Sequence, residues 1–362
     1  MPPERRSQAK PAEATGEDGV EATGEDGVEA ARALAERVLA GERSAVSTAL
    51  NQVDDDRPAS RPAILTLLDA LEGRGPGVRV GITGAPGAGK STLLDALVSR
   101  LRARGRSVGV LAIDPSSQRT GGALLGDRMR LGSSARDAGV FLRSLAARDR
   151  LGGLSEITGP SLDVLSAAFD FVFVETVGVG QSESDVIDLV DTLVFVAQPA
   201  AGDLIQFMKA GILEWPDVFF VGKSDLGDVA RRAATELMAG LELGSRRDPD
   251  FAPVVLTGSA RDGIGIDALI DAIDAHQDHL ARRGRREERR LKGRRSRVLR
   301  ALEARYGRFG LARLAAELGD PGTEEPADCI ERFISARADA SVERLIDELS
   351  RRTEEAIRHD GD

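Results

Sequence analysis

The chain has 362 residues, 41% of them hydrophobic, so it can form two or three compact units with a sizeable core. A single cysteine, Cys329, excludes a disulfide framework and any multi-cysteine zinc site. No apolar run reaches membrane-spanning length, the start lacks a signal-peptide core, and the net charge of −10 argues against general nucleic-acid binding, so a cytoplasmic protein without membrane contact is predicted.

The N-terminal part divides into an acidic repeat and a helical unit. Residues 13–28 are one eight-residue sequence written twice, too short for a solenoid and too rich in Gly and acidic residues to bury a core. We therefore predict that residues 1–28 are disordered. Residues 29–77 show helical spacing of apolar residues, including a helix over 61–72, and predict a small helical unit.

A phosphate-binding loop follows this unit. The sequence from Gly84 to Ser91 matches G-x-x-x-x-G-K-[ST], preceded by the apolar run Val78–Thr83 and followed by a helical pattern. Lys90 is expected to reach the β- and γ-phosphates of a nucleoside triphosphate, and the Ser91 hydroxyl to ligate Mg²⁺. The predicted nucleotide-binding residues of the loop are Gly84, Ala85, Pro86, Gly87, Ala88, Gly89, Lys90, Ser91 and Thr92.

Residues 78–275 alternate short apolar runs with helical patterns. The predicted strands are Val78–Thr83, Ser107–Ile113, Val140–Ser144, Phe171–Val174, Thr192–Ala197, Val218–Val221 and Pro253–Leu256. Continuous apolar runs are typical of strands covered on both faces. The pattern therefore predicts an α/β domain with a doubly wound, mainly parallel sheet.

Carboxylates follow two of these strands. Asp114 lies where a magnesium ligand is expected beside the phosphate loop, although Asp-Pro at a strand end is also common turn chemistry, and Asp127 is similarly ambiguous alone. Glu175 ends a strand in the manner of the second metal-holding motif of phosphate-loop enzymes, with Glu in place of Asp. Glu175 and Gln181 are the candidates for assisting hydrolysis, and the Gly178 N–H is a candidate sensor of the γ-phosphate. A glutamate at the sheet edge beside a glycine loop is the structural alternative.

The base of the nucleotide is expected to bind to the loops that follow the predicted strands Val218–Val221 and Pro253–Leu256. Lys223 and Asp225 have the spacing of N-K-x-D, in which the Asp accepts hydrogen bonds from guanine, but Gly222 replaces the asparagine. Ser259 and Ala260 lie in a loop similar to the final guanine-binding loop of GTPases. Guanine is therefore favoured, with weakened affinity or discrimination because the bracing amide at position 222 is missing.

The C-terminal part, residues 276–362, is helical in pattern. Residues 282–308 carry thirteen Arg and Lys against three Glu, with apolar residues at helical spacing. This favours a helix that packs on a partner protein rather than one that binds nucleic acid. His276 and His279 share a helix face that we expect to be solvated.

Three segments, 112–117, 120–127 and 174–183, closely resemble the MeaB/ArgK GTPases, the chaperones of adenosylcobalamin-dependent acyl-CoA mutases such as methylmalonyl-CoA mutase. The resemblance covers about residues 34–281. It implies a GTPase that binds GTP or GDP, with a helical N-terminal unit and a C-terminal helical arm used for homodimerisation. The roles it implies are phosphate binding by Lys90, magnesium binding by Ser91, Asp114, Asp127 and Glu175, and guanine binding by Asp225.

The same resemblance implies a third switch that senses the mutase, at residues 200–211. Asp203, Gln206 and Lys209 match it, whereas Leu204 replaces a glutamate and a Lys-Lys pair is reduced to Lys209, so a solvated helix is an equal alternative. No cobalamin-ligand motif is evident, and the cofactor is expected to be carried by the mutase and an adenosyltransferase. Two alternatives stay open: a kinase, for which no kinase motif is present, and a metal-insertion GTPase, for which clustered Cys and His are missing.

Overall fold

The structure is a computed structural model and describes residues 25–115, 137–147, 155–176, 182–199, 212–243, 246–319, 325–337 and 339–359. The strands are β1 (Val78–Thr83), β2 (Val108–Pro115), β3 (Val140–Ala147), β4 (Phe171–Glu175), β5 (Thr192–Ala197), β6 (Val218–Val221) and β7 (Val254–Thr257). The α-helices are α1 (Glu25–Leu39), α2 (Arg43–Val53), α3 (Arg61–Leu71), α4 (Lys90–Ala103), α5 (Thr158–Ala168), α6 (Ser182–Ile187), α7 (Asp228–Leu243), α8 (Ile266–Arg282), α9 (Arg285–Glu317), α10 (Pro326–Ser335) and α11 (Val342–His359). Among the helices of these ranges, none is both long and apolar enough to cross a membrane.

The seven strands form one parallel sheet in the order β3-β2-β4-β1-β5-β6-β7. The predicted doubly wound parallel sheet is confirmed. From β1 the chain runs to β2 and to β3 at one edge of the sheet and returns to β4 beside β1. It then adds β5, β6 and β7 outward on the other side of β1. The crevice for a ligand in such a sheet lies outside the carboxyl ends of the strands, where the winding reverses. The loop after β1 occupies that position.

Two apolar layers cover the sheet. On one face, α1, α2, α3 and α5 pack against β2 and β4 through buried residues that include Leu50, Leu68 and Val172. On the other face, α4 and α8 pack against β1, β4 and β5, around Leu97, Phe173 and others. The N-terminal helices therefore share a core with the sheet. Helix α1 begins at Glu25, inside the segment predicted to be disordered, because its apolar stripe anchors the end of the second repeat.

Helix α9 joins the sheet to the C-terminal helices through arginines. Its apolar side packs with α10 and α11 around Val298 and Leu302. Its basic side pairs with acidic residues of the sheet layer and of the helices around it. The pairs are Arg289–Asp217 at 3.0 Å, Arg290–Asp191 at 2.7 Å, Arg294–Glu72 at 3.0 Å, Arg297–Glu343 at 3.1 Å and Arg300–Asp188 at 2.7 Å. The basic segment is thus an intramolecular clamp, and α9 breaks only at Gly307, where φ is 64°.

His276 lies inside this clamp, which contradicts the predicted solvated face. Its ring is fully buried, with Nδ1 2.8 Å from Thr192 Oγ1 and Nε2 3.3 Å from Asp217 Oδ1. His279 is mostly buried as well, 3.2 Å from Asp248. Periodicity alone placed both rings on one face, but that face is covered by Asp217, directly before β6, and by Asp248, in the segment before β7. Burial lowers the pKa of His276 to about 4, although Asp217 opposes the shift.

The free energy of unfolding should therefore contain an acid-sensitive part due to His276. Because the folded pKa is depressed from 6.5 to about 4, the unfolded chain binds the extra proton in that window, and stability falls as pH falls through it. A shift of this size corresponds to about 3 kcal/mol once the pH is below 4. Denaturant unfolding of the native protein and His276→Asn at pH 7 and pH 5 tests this. The native protein should lose more stability on acidification than the variant; equal losses would contradict the assignment.

Candidate nucleotide-binding site

The loop between β1 and α4 has the backbone that phosphate binding requires. Gly84 has φ of 137°, and a Cβ there would lie 2.3 Å from the Val196 carbonyl oxygen, so no larger residue fits. Gly89 caps α4 in the left-handed region, with φ of 97°. The first N–H groups of α4 consequently point toward the loop, and the positive end of the helix dipole adds to them. This arrangement suits an anionic phosphate chain.

Lys90 is the first residue of α4, and its ammonium group is held within the loop. Lys90 Nζ donates to the carbonyl oxygens of Gly84 at 2.8 Å and Ala85 at 3.0 Å. Its side chain is 7% exposed, so the charge lies in a poorly hydrated site. A cation in such a site interacts more strongly with phosphate than one in bulk water.

Ser91 and Glu175 meet beside the loop. Ser91 Oγ donates to Glu175 Oε1 at 2.6 Å, although the two residues are 84 positions apart. The next residue, Thr176, is tied to the end of β1 by a hydrogen bond from its N–H to the Ile82 carbonyl at 3.1 Å. A hydroxyl and a carboxylate oxygen are donors that Mg²⁺ prefers, so this pair fits the predicted metal site. Bound there, Mg²⁺ would neutralise charge on the phosphates.

Asp114 lies near the same edge. In the ladder of β2 and β4, Ala112 is opposite Glu175, which places Asp114 two residues further along a neighbouring strand. The structure gives the backbone of Asp114 only. The other predicted residues of this region lie outside the described residues; they are Asp127, Gly178, Gln181, Asp203, Gln206 and Lys209.

Replacing Ser91 with alanine tests the metal assignment. The hydroxyl is removed while the loop backbone stays intact, so Mg²⁺-dependent GTP hydrolysis should fall at least about tenfold. GDP binding measured in EDTA should stay within a few-fold of native. Ser99→Ala, on the exposed face of the same helix, is the matched control and should behave as the native protein. An unchanged magnesium requirement in Ser91→Ala would exclude Ser91 as a ligand.

The predicted base-reading residues follow β6. Lys223 has φ of 55°, in the left-handed region, and Asp225 lies exposed in the short helix Ser224–Leu226. The Ser224 N–H donates to the Gly258 carbonyl at 2.9 Å, which joins this loop to the one after β7. The sheet therefore brings the two predicted guanine loops together, with the Asp225 carboxylate accessible to a base.

The loop after β7 is closed on itself. Ser259 and Ile264 exchange backbone hydrogen bonds at 3.0 and 2.9 Å, and Ser259 Oγ donates to Asp262 at 2.6 Å. Ser259 is buried, whereas Ala260 is partly exposed beside it. These contacts fix the backbone of a loop whose predicted role is to present an N–H group to guanine.

One residue at the site was missed by the sequence analysis. Gln198 directly follows β5, and in the amide orientation that satisfies both of its polar atoms, Nε2 donates to the Gly87 carbonyl at 3.0 Å while Oε1 accepts from Lys223 Nζ at 3.1 Å. The available signal was a polar residue directly after the apolar run 193–197 of the strand next to β1. That position alone could not indicate which groups the amide reaches.

Comparison with protein families gives a match to the model of methylmalonyl-CoA mutase-associated GTPase MeaB over residues 46–306. This range contains β1 and the phosphate loop, the end of β4, both predicted base loops and most of α9 up to its break. The match therefore extends across every part of the candidate site and beyond the sheet.

Individual proteins agree with this match. A protein of Mycobacterium tuberculosis named Probable GTPase is 43% identical over 249 residues, covering 67% of this chain and 74% of its own. GTPase ArgK of Escherichia coli is 37% identical over 241 residues, covering 66% and 73%. The mouse methylmalonic aciduria type A homolog, mitochondrial, is 36% identical over 252 residues, covering 66% and 60%. The crystal structure of LAO/AO transport system kinase superposes with a TM-score of 0.61 and 27% identity, covering 85% of this chain and 97% of that one.

Proposed function

Because the chain belongs to the family of methylmalonyl-CoA mutase-associated GTPases, we propose that its GTPase cycle controls the loading, protection or repair of adenosylcobalamin on an acyl-CoA mutase. The protein is a GTP hydrolase that binds guanine nucleotides, as its family and relatives are. The control of an acyl-CoA mutase is the part that we propose beyond this GTPase activity. The observation that carries it is the family match across the whole candidate site, together with the similarity to the mouse protein named for methylmalonic aciduria.

The chemistry assigned to the site is phosphoryl transfer to water. Lys90 and the N–H groups at the start of α4 hold the phosphates, and Ser91 and Glu175 hold Mg²⁺, as proposed from their contact at 2.6 Å. Gln181 is proposed to orient the attacking water. No arginine of the described residues has been assigned to the γ-phosphate, and turnover without a partner is accordingly expected to be slow. A partner that supplies charge or orders the switch can accelerate such a reaction by several orders of magnitude.

A GTPase can control a partner only if one of its segments has two conformations and the partner binds these two conformations with different affinity. We place it in the segments that follow β4 and β5, whose ends lie beside the phosphate loop. The hydrogen bond from the Thr176 N–H to the Ile82 carbonyl of β1, at 3.1 Å, supports this proposal, because it joins the last residue before the first segment to the strand that leads into the phosphate loop. An adenosyltransferase is the proposed source of the cofactor. We also propose a homodimer. Because the apolar faces of the C-terminal helices pack within the chain, the outer surfaces of these helices are the proposed contact between the two subunits.

The test has two measurements. GTP turnover by this protein is measured with and without a purified acyl-CoA mutase, and transfer of adenosylcobalamin to that mutase is measured with and without this protein. We expect the mutase to accelerate turnover and GTP to change cofactor loading. A set of acyl-CoA mutases whose loading is indifferent to this protein and to GTP would refute the chaperone function and leave the GTPase intact.

Lys209→Ala addresses the proposed partner switch specifically. The lysine is not assigned to the nucleotide site, so intrinsic hydrolysis should stay within about twofold of native, while the stimulation by the mutase should fall about tenfold, as for loss of one charged contact. Lys292→Ala, an exposed lysine of α9, is the matched control. If the mutase stimulates GTP hydrolysis by Lys209→Ala as strongly as by the native protein, Lys209 has no role in the proposed switch.

A further inference from the structure

Gln198 stands between the two halves of the nucleotide site. Strand β5 lies between β1, which leads into the phosphate loop, and β6, which leads into the predicted base loop. The residue directly after β5 is therefore the one placed to touch both loops. The backbone already shows this proximity, since the Gly222 N–H donates to the Ala197 carbonyl at 3.0 Å.

The Gln198 amide uses both of its polar atoms in this position. Nε2 donates to the carbonyl of Gly87, in the phosphate loop, at 3.0 Å, and Oε1 accepts from Lys223 Nζ, in the base loop, at 3.1 Å. A carboxylate could keep the second contact but has no proton to donate to the first. An aliphatic side chain could keep neither. The amide satisfies both contacts at once, because it carries a donor and an acceptor on separate atoms.

Position 222 faces the same space. A Cβ on Gly222 would lie 3.7 Å from the Ala88 carbonyl oxygen and 3.8 Å from that of Ala197, both ordinary contact distances, and Gly222 has no left-handed φ. The backbone at position 222 therefore accepts a Cβ, which would face the Ala88 carbonyl of the phosphate loop. In N-K-x-D sequences that asparagine supplies the bracing amide, which this chain lacks at position 222.

We propose that Gln198 is a positioning residue for guanine-nucleotide binding: its amide ties the phosphate loop to the base loop and takes the place of the amide missing at position 222. The inference rests on the proposed role of Lys223 and Asp225 in base binding. It predicts that amides at positions 198 and 222 are alternatives, so that adding one has a large effect only where the other is absent.

The experiment measures GDP affinity, with ADP as the reference, for the native protein, Gln198→Leu, Gly222→Asn and the double variant. Gln198→Leu keeps the side-chain volume and should weaken GDP binding about tenfold, as expected for loss of bridging hydrogen bonds. Gly222→Asn should restore most of that loss in the Gln198→Leu background and change the native protein by less than about threefold. Gln52→Leu, on α2, is the matched control and should bind GDP as the native protein does.

Gln198→Glu provides a second route if Gln198→Leu does not fold. It keeps the acceptor for Lys223 and removes the donor to Gly87, so it should also weaken GDP binding. The proposal is overturned if both Gln198 variants bind GDP within twofold of native, or if Gly222→Asn has the same effect in both backgrounds. Failure of the guanine assignment itself is distinguishable, because the native protein would then show no preference for GDP over ADP.

Discussion

Replacing Lys90 with alanine is expected to lower GTP hydrolysis about 10³-fold and leave the chain folded. The ammonium group is the only charge that the loop itself supplies at the phosphates, and at 7% exposure it works in a poorly hydrated site. No other side chain of the loop can replace it, because the remaining positions between Gly84 and Ser91 are Gly, Ala and Pro. Steady-state and single-turnover assays of GTP hydrolysis measure the effect.

The same contacts predict that the Lys90→Ala variant stays folded. Loss of the hydrogen bonds to Gly84 and Ala85 leaves two carbonyls without that donor, at a cost of about 1–3 kcal/mol, well below the stability of a typical domain. Circular dichroism and thermal unfolding check this, and Lys292→Ala serves as the control for loss of an exposed lysine. A folded Lys90→Ala variant with native turnover would show that hydrolysis takes place elsewhere.

Replacing Asp225 with asparagine is expected to shift the base preference from guanine to xanthine. The carboxylate can accept from two N–H donors of guanine, each worth about 1.5–3 kcal/mol with a charged acceptor, so GDP affinity should fall at least about a hundredfold. The asparagine N–H instead faces a donor on guanine but an acceptor on xanthine. The exposed position of Asp225 means that the variant should not disturb packing.

Competition between GDP, XDP and ADP measures this shift. Asp228→Asn is the matched control: it lies three residues away, at the start of α7, and its partner in the structure is Arg231. That variant should keep the guanine preference. If the Asp225→Asn variant prefers GDP over XDP by the same factor as the native protein, the base is not recognised by this loop.

The fold was predictable wherever the information is local. Strands β1, β5 and β6 have the predicted bounds because short segments rich in apolar residues, ended by turn residues, are typical of strands in a sheet covered on both faces. The phosphate loop was predictable for the same reason, since its glycines, lysine and serine are adjacent in sequence. In both cases one window of sequence contains the whole cause.

What could not be predicted depends on residues that meet only after folding. His276 is buried because Asp217, 59 positions earlier, covers the face that periodicity alone assigned to solvent. The Gln198 amide has its partners on two different loops, Gly87 and Lys223. The basic block after Arg282 could not be assigned to an intramolecular role, because its acidic partners belong to distant segments. The surroundings of a side chain, unlike the positions of the strands, can be predicted only when the topology of the fold is known.

The arginine clamp of α9 couples the sequence of the C-terminal helices to that of the sheet layer. Asp191 and Asp217 are 1% and 2% exposed, and the guanidinium groups of Arg290 and Arg289 that face them come from a different part of the chain. A buried carboxylate that loses such a partner destabilises a protein by about 3–5 kcal/mol. Exchange of the C-terminal helices between relatives would therefore succeed only where the incoming arginines match the resident carboxylates. Substitutions in the C-terminal helices and in the sheet layer are therefore expected to be correlated in evolution at these paired positions.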